Sequence, residues 1–127
     1  MSQQFPMLFS SFDLGSLRLK NRIFVPGHGT RYARDYQVSD DLIAYHEARA
    51  AGGVGMIMTE VCSVHPTYDP QTRLSLVTDD AIPGFSRLAK MCHGYDCALM
   101  AQLFHPGRVP ALSADGSRPV AYAPSEV

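Results

Sequence analysis

The side chains best suited to chemistry stand in the stretch Gln102-Leu-Phe-His-Pro-Gly-Arg108. Gln102 interrupts an apolar run, where a buried amide must find donors and acceptors. A carboxamide offers both a donor and an acceptor, which suits the edge of a heterocyclic ring. His105 and Arg108 follow where Pro106 and Gly107 turn the chain. The stretch indicates either a ligand site or a structural network of Gln, His and Arg.

Two other stretches bring polar groups to the ends of apolar runs. Glycines flank His28, so the backbone there can approach a flat ligand; a Gly-rich turn with a solvent-facing His is an equally good interpretation. The dinucleotide fingerprint is absent, because it needs a further Gly where Tyr32 stands. Glu60 would be costly to bury without partners. We therefore expect Glu60 to be either paired or near the open rim, and a salt-bridged carboxylate at the rim is the plain interpretation.

Short apolar runs bounded by Gly or Pro predict three strands, at 22–25, 54–59 and 98–104. Their continuous apolar character is typical of parallel strands that are buried on both faces. A small hairpin is predicted over 8–19. We expect it at the end of the sheet opposite Gln102.

Two helices are predicted between these strands. The first covers 40–51, where Ser39 can cap the free amides. The second follows Asp79 and Asp80 and closes at Gly94. The order β-α-β-α-β implies adjacent parallel strands and right-handed crossovers.

The links that leave the predicted strands, 26–39 and 60–78, are much longer than those that enter them. In barrel and doubly wound α/β folds, the loops at the carboxyl ends of the strands build the active site. The candidate residues therefore lie on the end of the sheet where function is expected.

Composition excludes several classes of protein. The formal net charge is -1 without a basic run, which argues against a nucleic-acid surface. The longest apolar stretch is far shorter than the ~20 residues of a membrane span. No secretory signal is visible at the start, so we expect a cytoplasmic protein. Cys62, Cys92 and Cys97 lack C-x-x-C spacing, which predicts buried free thiols and no metal site.

Six motifs run collinear over essentially the whole chain: Leu19-Lys-Asn-Arg-Ile23, Pro26-Gly-His28, Tyr45-His-Glu-Ala-Arg-Ala-Ala-Gly-Gly-Val-Gly55, Thr59-Glu60, Gln102-Leu-x-His-x-Gly-Arg108 and Ala123-Pro-Ser125. Together they resemble the Old Yellow Enzyme, or NADH:flavin oxidoreductase, superfamily, in particular the branch of 2,4-dienoyl-CoA reductase and trimethylamine dehydrogenase. Those enzymes are FMN-dependent oxidoreductases on a (β/α)₈ TIM barrel. The resemblance implies an α/β fold in which residues 1–127 are the N-terminal β-α-β-α-β portion of an FMN-binding barrel, an incomplete domain.

The resemblance also implies roles for particular residues. Five of them would bind FMN: Pro26, Gly27, His28, Val61 and Gln102. Val61 would act through its backbone amide, and Gln102 at the pyrimidine edge of the ring. His28 would be catalytic, near the reactive edge of the flavin; trimethylamine dehydrogenase has there a Cys that links its flavin covalently, and His28 cannot form that thioether. Glu60, His105 and Arg108 would support the site or the substrate.

The implied reaction passes hydride or electrons through FMN, from NAD(P)H or an amine to an activated alkene or a redox partner. Closure of a barrel takes eight strands, so we expect partners in the remaining barrel segments or a complementary chain, an oligomer, and little activity from 1–127 alone. The FMN phosphate site, the proton donor and any iron–sulfur cluster would come from later strands.

Two alternatives stay open. A metal-dependent TIM-barrel hydrolase is one, because His28, His65 and His105 all follow predicted strands. A non-catalytic subunit that completes a barrel with another chain is the other. Bound flavin would separate them, because it colours the protein yellow.

Overall fold

The computed structural model describes residues 4–66, 73–110, 115–118 and 120–125. Its elements run in the order β1 (Phe12–Leu14), β2 (Leu17–Leu19), β3 (Phe24–Val25), α1 (Asp40–Ala51), β4 (Met56–Ser63), β5 (Leu74–Ser75), a 3₁₀ turn (Asp79–Ala81), α2 (Ile82–Gly94) and β6 (Ala98–Phe104). The β-α-β-α-β order predicted from the sequence is confirmed.

Strand β4 is the centre of a parallel sheet. On one side it pairs with β3, with Phe24 opposite Met56, and on the other with β6, with Ala98 opposite the same residue. The short β5, which was not predicted, pairs in parallel with the carboxyl end of β4. The three predicted strands are therefore adjacent and parallel, as expected.

The strand predicted at 54–59 was wrong at its carboxyl end, because β4 continues to Ser63. Met58 faces Met100 and Val61 faces Gln102, so β4 advances by three residues while β6 advances by two. The extra residue on β4 forms a β-bulge, and beyond it β4 and β6 pair again. Glu60 and Val61 accordingly lie inside β4 and not in the exit loop. The first strand is shorter than predicted and holds only Phe24–Val25.

The helices cover one face of this sheet. Helix α1 starts where the Leu42 amide donates to Ser39 Oγ at 3.1 Å, the predicted cap. Helix α2 has Pro83 in its first turn, where the missing amide costs nothing. The core between helices and sheet is formed by ten buried residues: Ala33, Val38, Leu42, Ala50, Ile57, Cys62, Leu74, Leu88, Cys92 and Cys97.

The three cysteines are free and buried, which confirms the prediction. In the ranges that the structure describes, neither helix is long and apolar enough to cross a bilayer.

Strands β1 and β2 form the predicted hairpin, with Phe12 opposite Leu19. Leu17 and Arg18 line a cavity together with Gly55 and Ala98, which stand at the amino ends of β4 and β6. The hairpin thus lies at the end of the sheet opposite Gln102.

Candidate functional site

Three residues from three elements meet at the carboxyl end of the sheet. Gly27 follows β3 and lies against both the Gln102 side chain on β6 and the Thr59 backbone on β4. A β-carbon on Gly27 would stand 2.3 Å from Gln102 Oε1 and 2.8 Å from the Thr59 carbonyl oxygen. Real β-carbons do not approach so closely, so only glycine fits here. The sequence-predicted residues Gly27 and Gln102 are therefore brought together.

The Gln102 carboxamide is half-buried at this point. Its backbone amide donates to Thr59 Oγ1 at 3.4 Å, but among the described residues its side chain makes no hydrogen bond. Because the carboxamide is not fully enclosed, a ligand can reach its polar atoms. A donor and an acceptor beside a bare glycine backbone fit the edge of a flat heterocycle such as FMN.

The His28 side chain contacts its own loop and helix α1. Its Nδ1 lies 3.0 Å from the Pro26 carbonyl oxygen, and its Nε2 makes a short hydrogen bond with the Tyr45 hydroxyl. A carbonyl can only accept, so Nδ1 carries a proton, and in the neutral ring Nε2 accepts from Tyr45. The tautomer of His28 is thus fixed by its own loop and by α1.

Tyr45 is itself held from two sides. The Arg49 guanidinium lies 3.3 Å from the Tyr45 ring centroid and donates to the Tyr45 carbonyl oxygen at 2.6 Å. The Tyr32 ring lies 5.6 Å away. Sequence reasoning did not select Tyr45 as a site residue, although it opens the third motif of the resemblance. Helix α1 therefore reaches the candidate site through this phenol.

Glu60 is buried, with 2% of its surface exposed. Its carboxylate accepts hydrogen bonds from the Thr30 amide at 2.8 Å and from the Thr30 hydroxyl. The expected salt bridge at the rim is wrong: Glu60 is buried, no ion pair to it is found among the described residues, and both Thr30 donors reach its Oε2. Glu60 ties the loop after β3 to β4, and Thr30 is the partner that the sequence did not reveal.

The loop between β3 and α1 carries backbone strain. Arg31, Asp35 and Tyr36 have φ values of 60°, 48° and 66°, in a region that non-glycine residues adopt at a cost. The Ser75 amide donates to the Tyr36 carbonyl oxygen at 3.0 Å, so β5 holds one of these residues in place. Such strain persists only where the surroundings fix it, which is typical of functional loops.

His65 and His105 form a separate cluster with Tyr122. The two imidazole centroids are 5.5 Å apart, and Tyr122 lies 5.1 Å from His65 and 6.2 Å from His105. His105 Nδ1 accepts from the Gly107 amide at 3.0 Å, and Arg108 is exposed. In the part of the chain that the structure describes, no three potential metal ligands come together.

Cys62 lies two residues after Glu60 and is fully buried. Burial raises the pKa of its thiol, and the Glu60 charge adds to this. Its Sγ lies 3.3 Å from the Glu60 carbonyl oxygen and the same distance from Thr59 Oγ1. The Cys62 thiol therefore lies in the core and packs against the β-bulge in β4.

The chain is similar in sequence to known proteins. Residues 7–126 match the model of the NADH:flavin oxidoreductase / NADH oxidase family. The chain is 38% identical over 125 residues to an NADH oxidase of Thermoanaerobacter brockii, covering 94% of this chain and 19% of that protein. It is 33% identical over 103 residues to a multifunctional alkene reductase/demethylase of Caballeronia cordobensis, covering 80% and 15%.

The fold agrees with a solved relative. The old yellow enzyme of Trypanosoma cruzi superposes with a TM-score of 0.74 and 27% identity, over 83% of this chain and 28% of that one. The chain belongs to the NADH:flavin oxidoreductase / NADH oxidase family, and its sheet corresponds to the N-terminal part of the TIM barrel of such enzymes. It spans about a fifth of the length of the curated relatives it matches.

Proposed function

We propose that residues 1–127 form the N-terminal segment of an FMN-binding barrel in an FMN-dependent oxidoreductase of the Old Yellow Enzyme type. The observation that carries this is the contact of Gly27 with the Gln102 carboxamide, which makes no hydrogen bond of its own among the described residues. Family membership supports it independently.

The roles of the residues follow from the chemistry they offer. FMN, when bound, supplies hydride and electron transfer, while the protein positions it. Gln102 offers a donor and an acceptor to the pyrimidine edge, and Val61 its backbone amide. The Pro26-Gly27 backbone gives the flavin room, because Gly27 has no side chain.

His28 would act near the reactive edge of the flavin. Its ring is held in one tautomer by Pro26 and Tyr45, so a proton at Nδ1 is kept in place. Glu60 acts indirectly, because it fixes Thr30 and with it the loop that carries His28. His105 and Arg108 would support the substrate side of the site.

The substrate is a small molecule. The names of the relatives, NADH oxidase and alkene reductase/demethylase, support NAD(P)H or an amine as donor and an activated alkene as acceptor. We place the chain in the branch of dienoyl-CoA reductase and trimethylamine dehydrogenase. The iron–sulfur cluster of that branch stays a prediction, because its ligands would come from later segments. Three free cysteines favour a reducing compartment such as the cytoplasm.

Both edges of the described sheet support a larger assembly. Strands β3 and β6 each pair only with β4 within the described residues. Leu103 on β6 is 67% exposed, and Phe24 on β3 is exposed as well. Unpaired strand edges with apolar side chains favour association. We infer that further strands of the barrel cover them, in an oligomer or in a longer chain.

The metal-dependent hydrolase has less support. His65 and His105 lie together, but His28 is engaged by Pro26 and Tyr45. Family membership also favours oxidoreductase chemistry. A non-catalytic subunit differs from our proposal only in whether flavin is retained.

The test is a visible absorption spectrum of the native protein, purified together with the rest of its barrel, with metal analysis of the same sample. We expect flavin absorbance. Gly27→Ala should lower the FMN affinity at least about tenfold, or ~1.4 kcal/mol, because its β-carbon would strike the Thr59 carbonyl.

Gly29→Ala is the matched control, since a β-carbon at Gly29 meets nothing within 4 Å. Its FMN affinity should equal that of the unaltered protein. A colourless native protein, or equal flavin retention by both variants, would overturn the proposal.

A further inference from the structure

Helix α2 ends in a turn that sets two cysteines side by side. The Cys97 amide donates to the Cys92 carbonyl oxygen at 3.1 Å, and the Asp96 amide donates to the His93 carbonyl oxygen at 3.0 Å. Asp96 has a φ of 50°. These are the two hydrogen bonds and the left-handed residue of a Schellman motif.

The Schellman motif has a consequence for side chains. The residues at its two ends, here Cys92 and Cys97, commonly contact each other in an apolar cluster. Both are fully or almost fully buried in the core. A disulfide needs α-carbons about 4.4–6.8 Å apart, and the direct backbone hydrogen bond keeps these two residues close to that range. Two thiols therefore occupy positions where a short bridge is geometrically accessible.

The two thiols differ in their surroundings. Cys97 lines a cavity of about 250 Å³ at the amino end of the sheet, together with Arg18 and His93, whereas Cys92 does not. The Lys20 ammonium donates to the Tyr95 carbonyl oxygen at 2.5 Å, within the same turn. A small solute entering the cavity meets Cys97 beside the basic Arg18 and the acidic Asp96.

Electrostatics separate the two thiols further. A hydrogen bond from Cys92 lowers the pKa of Cys97, and the Lys20 charge adds to this, against burial and the Asp96 charge. The same hydrogen bond, with burial, raises the pKa of Cys92. The thiolate is the reactive form, and of the two thiols only Cys97 lines the cavity, so we expect Cys97 to react first.

We propose that Cys92 and Cys97 form a reversible redox pair, in which a hydroperoxide oxidises Cys97 and Cys92 then closes an intramolecular disulfide. The pair lies at the end of the sheet opposite Gln102. The proposal is therefore independent of the flavin site.

The chemistry balances in two steps. The Cys97 thiolate attacks the terminal peroxide oxygen, so an S–O bond forms, the O–O bond breaks, and the leaving oxygen takes a proton to give water or an alcohol. The Cys92 sulfur then attacks the Cys97 sulfenic acid, forming the S–S bond, while the S–O bond breaks and water leaves with the Cys92 proton. Two electrons pass from the thiols to the peroxide. A dithiol reductant restores both thiols by exchange.

Tryptic cleavage makes the test direct, because both cysteines fall in the peptide 91–108, while Cys62 falls in 50–73. The native protein, with the rest of its barrel, is treated with hydrogen peroxide, then denatured, alkylated and digested. We expect the peptide 91–108 to escape alkylation and to lose about 2 Da. This should occur at least about tenfold faster than any oxidation of Cys62.

Variants separate the two roles. Cys92→Ala should stop at a Cys97 sulfenic acid that dimedone captures, and Cys97→Ala should leave Cys92 reduced. Cys62→Ala is the matched control and should keep the loss of mass. Equal oxidation of Cys62 and Cys97, or full alkylation of peptide 91–108 after peroxide, would overturn the proposal even if no variant folds.

Discussion

Two carboxamide side chains lie at opposite ends of the sheet, and the protein uses them differently. At the amino end, Asn21 is only 7% exposed; its Nδ2 donates to the Gly53 carbonyl oxygen at 2.7 Å and its Oδ1 accepts from the Ile23 amide at 3.0 Å. At the carboxyl end, the Gln102 side chain has no hydrogen-bond partner among the described residues.

Each amide is also packed against a glycine. A β-carbon on Gly55 would stand 2.7 Å from Asn21 Oδ1, much as one on Gly27 would strike Gln102. The glycine packing is therefore alike at the two ends, whereas the hydrogen bonding and the burial differ. A satisfied amide joins backbone segments, whereas an unsatisfied one is available to a ligand.

The largest expected effect is on stability and comes from Asn21, the amide that has both hydrogen-bond partners. Asn21→Leu leaves the Gly53 carbonyl and the Ile23 amide without their partner, and each such buried group costs about 1–3 kcal/mol. We expect the free energy of unfolding to fall by roughly 2–4 kcal/mol, since such costs do not add fully. The measurement is the urea midpoint of the native assembly, at constant m-value.

The matched comparison for this variant is Asn21→Asp, which keeps the acceptor for Ile23 but not the donor to Gly53. Its buried carboxylate would face the Gly53 carbonyl oxygen, so it should lose at least as much stability as Asn21→Leu. A change below about 0.5 kcal/mol for Asn21→Leu, the range of ordinary surface substitutions, would break the contrast between the two amides.

The buried side chain of His46 also lacks hydrogen-bond partners and provides a further comparison. His46 on α1 is enclosed in the core, and within the described residues neither ring nitrogen has a hydrogen-bond partner. Burial, followed by the Arg49 and His28 charges, lowers the pKa of His46 from 6.5 to about 4. The His46 ring lies on the buried side of α1, so unlike Gln102 it is not open to a ligand.

The consequence for His46 is a dependence of stability on pH. Because the folded state disfavours the charged ring, its contribution is fully present above pH 6.5 and is lost as the pH falls toward 4. We expect a loss of about 1 kcal/mol between pH 7 and 5.5, at up to ~1.4 kcal/mol per pH unit. Unfolding free energies measured across this range test it.

His46→Leu should flatten this acid dependence, because it removes the buried ring. If the unfolding free energy of His46→Leu falls with decreasing pH as steeply as that of the unaltered protein, the His46 ring is not the group that titrates.

Much of the fold could be predicted because local signals and tertiary packing agree. The Ser39 cap and the Gly52-Gly53 stop predict α1 at Asp40–Ala51, and the apolar run predicts β6 at Ala98–Phe104. The bulge in β4 could not be predicted, because Thr59 and Glu60 are typical of a strand end, and only the pairing with β6 carries the strand past them.

The site was predictable by residue type but not by geometry. Gln102 stands out as an amide in an apolar strand, and Gly27 as a residue without a side chain. The hydrogen bond from Tyr45 to His28 joins residues 17 apart, and that from Thr30 to Glu60 joins residues 30 apart. No local pattern specifies such partners, because the long loop after β3 brings them together.

The most direct test of the central claim is Gln102→Leu, measured for both cofactor retention and stability in the complete assembly. Removing a donor and an acceptor from the flavin edge should cost on the order of 1–3 kcal/mol, or roughly 5- to 150-fold in the FMN dissociation constant. The flavin-free protein should change its unfolding free energy by less than about 0.5 kcal/mol, because Leu suits the half-buried strand. Unchanged FMN affinity, or a large loss of stability in the flavin-free protein, would contradict the account and make Gln102 a structural amide like Asn21.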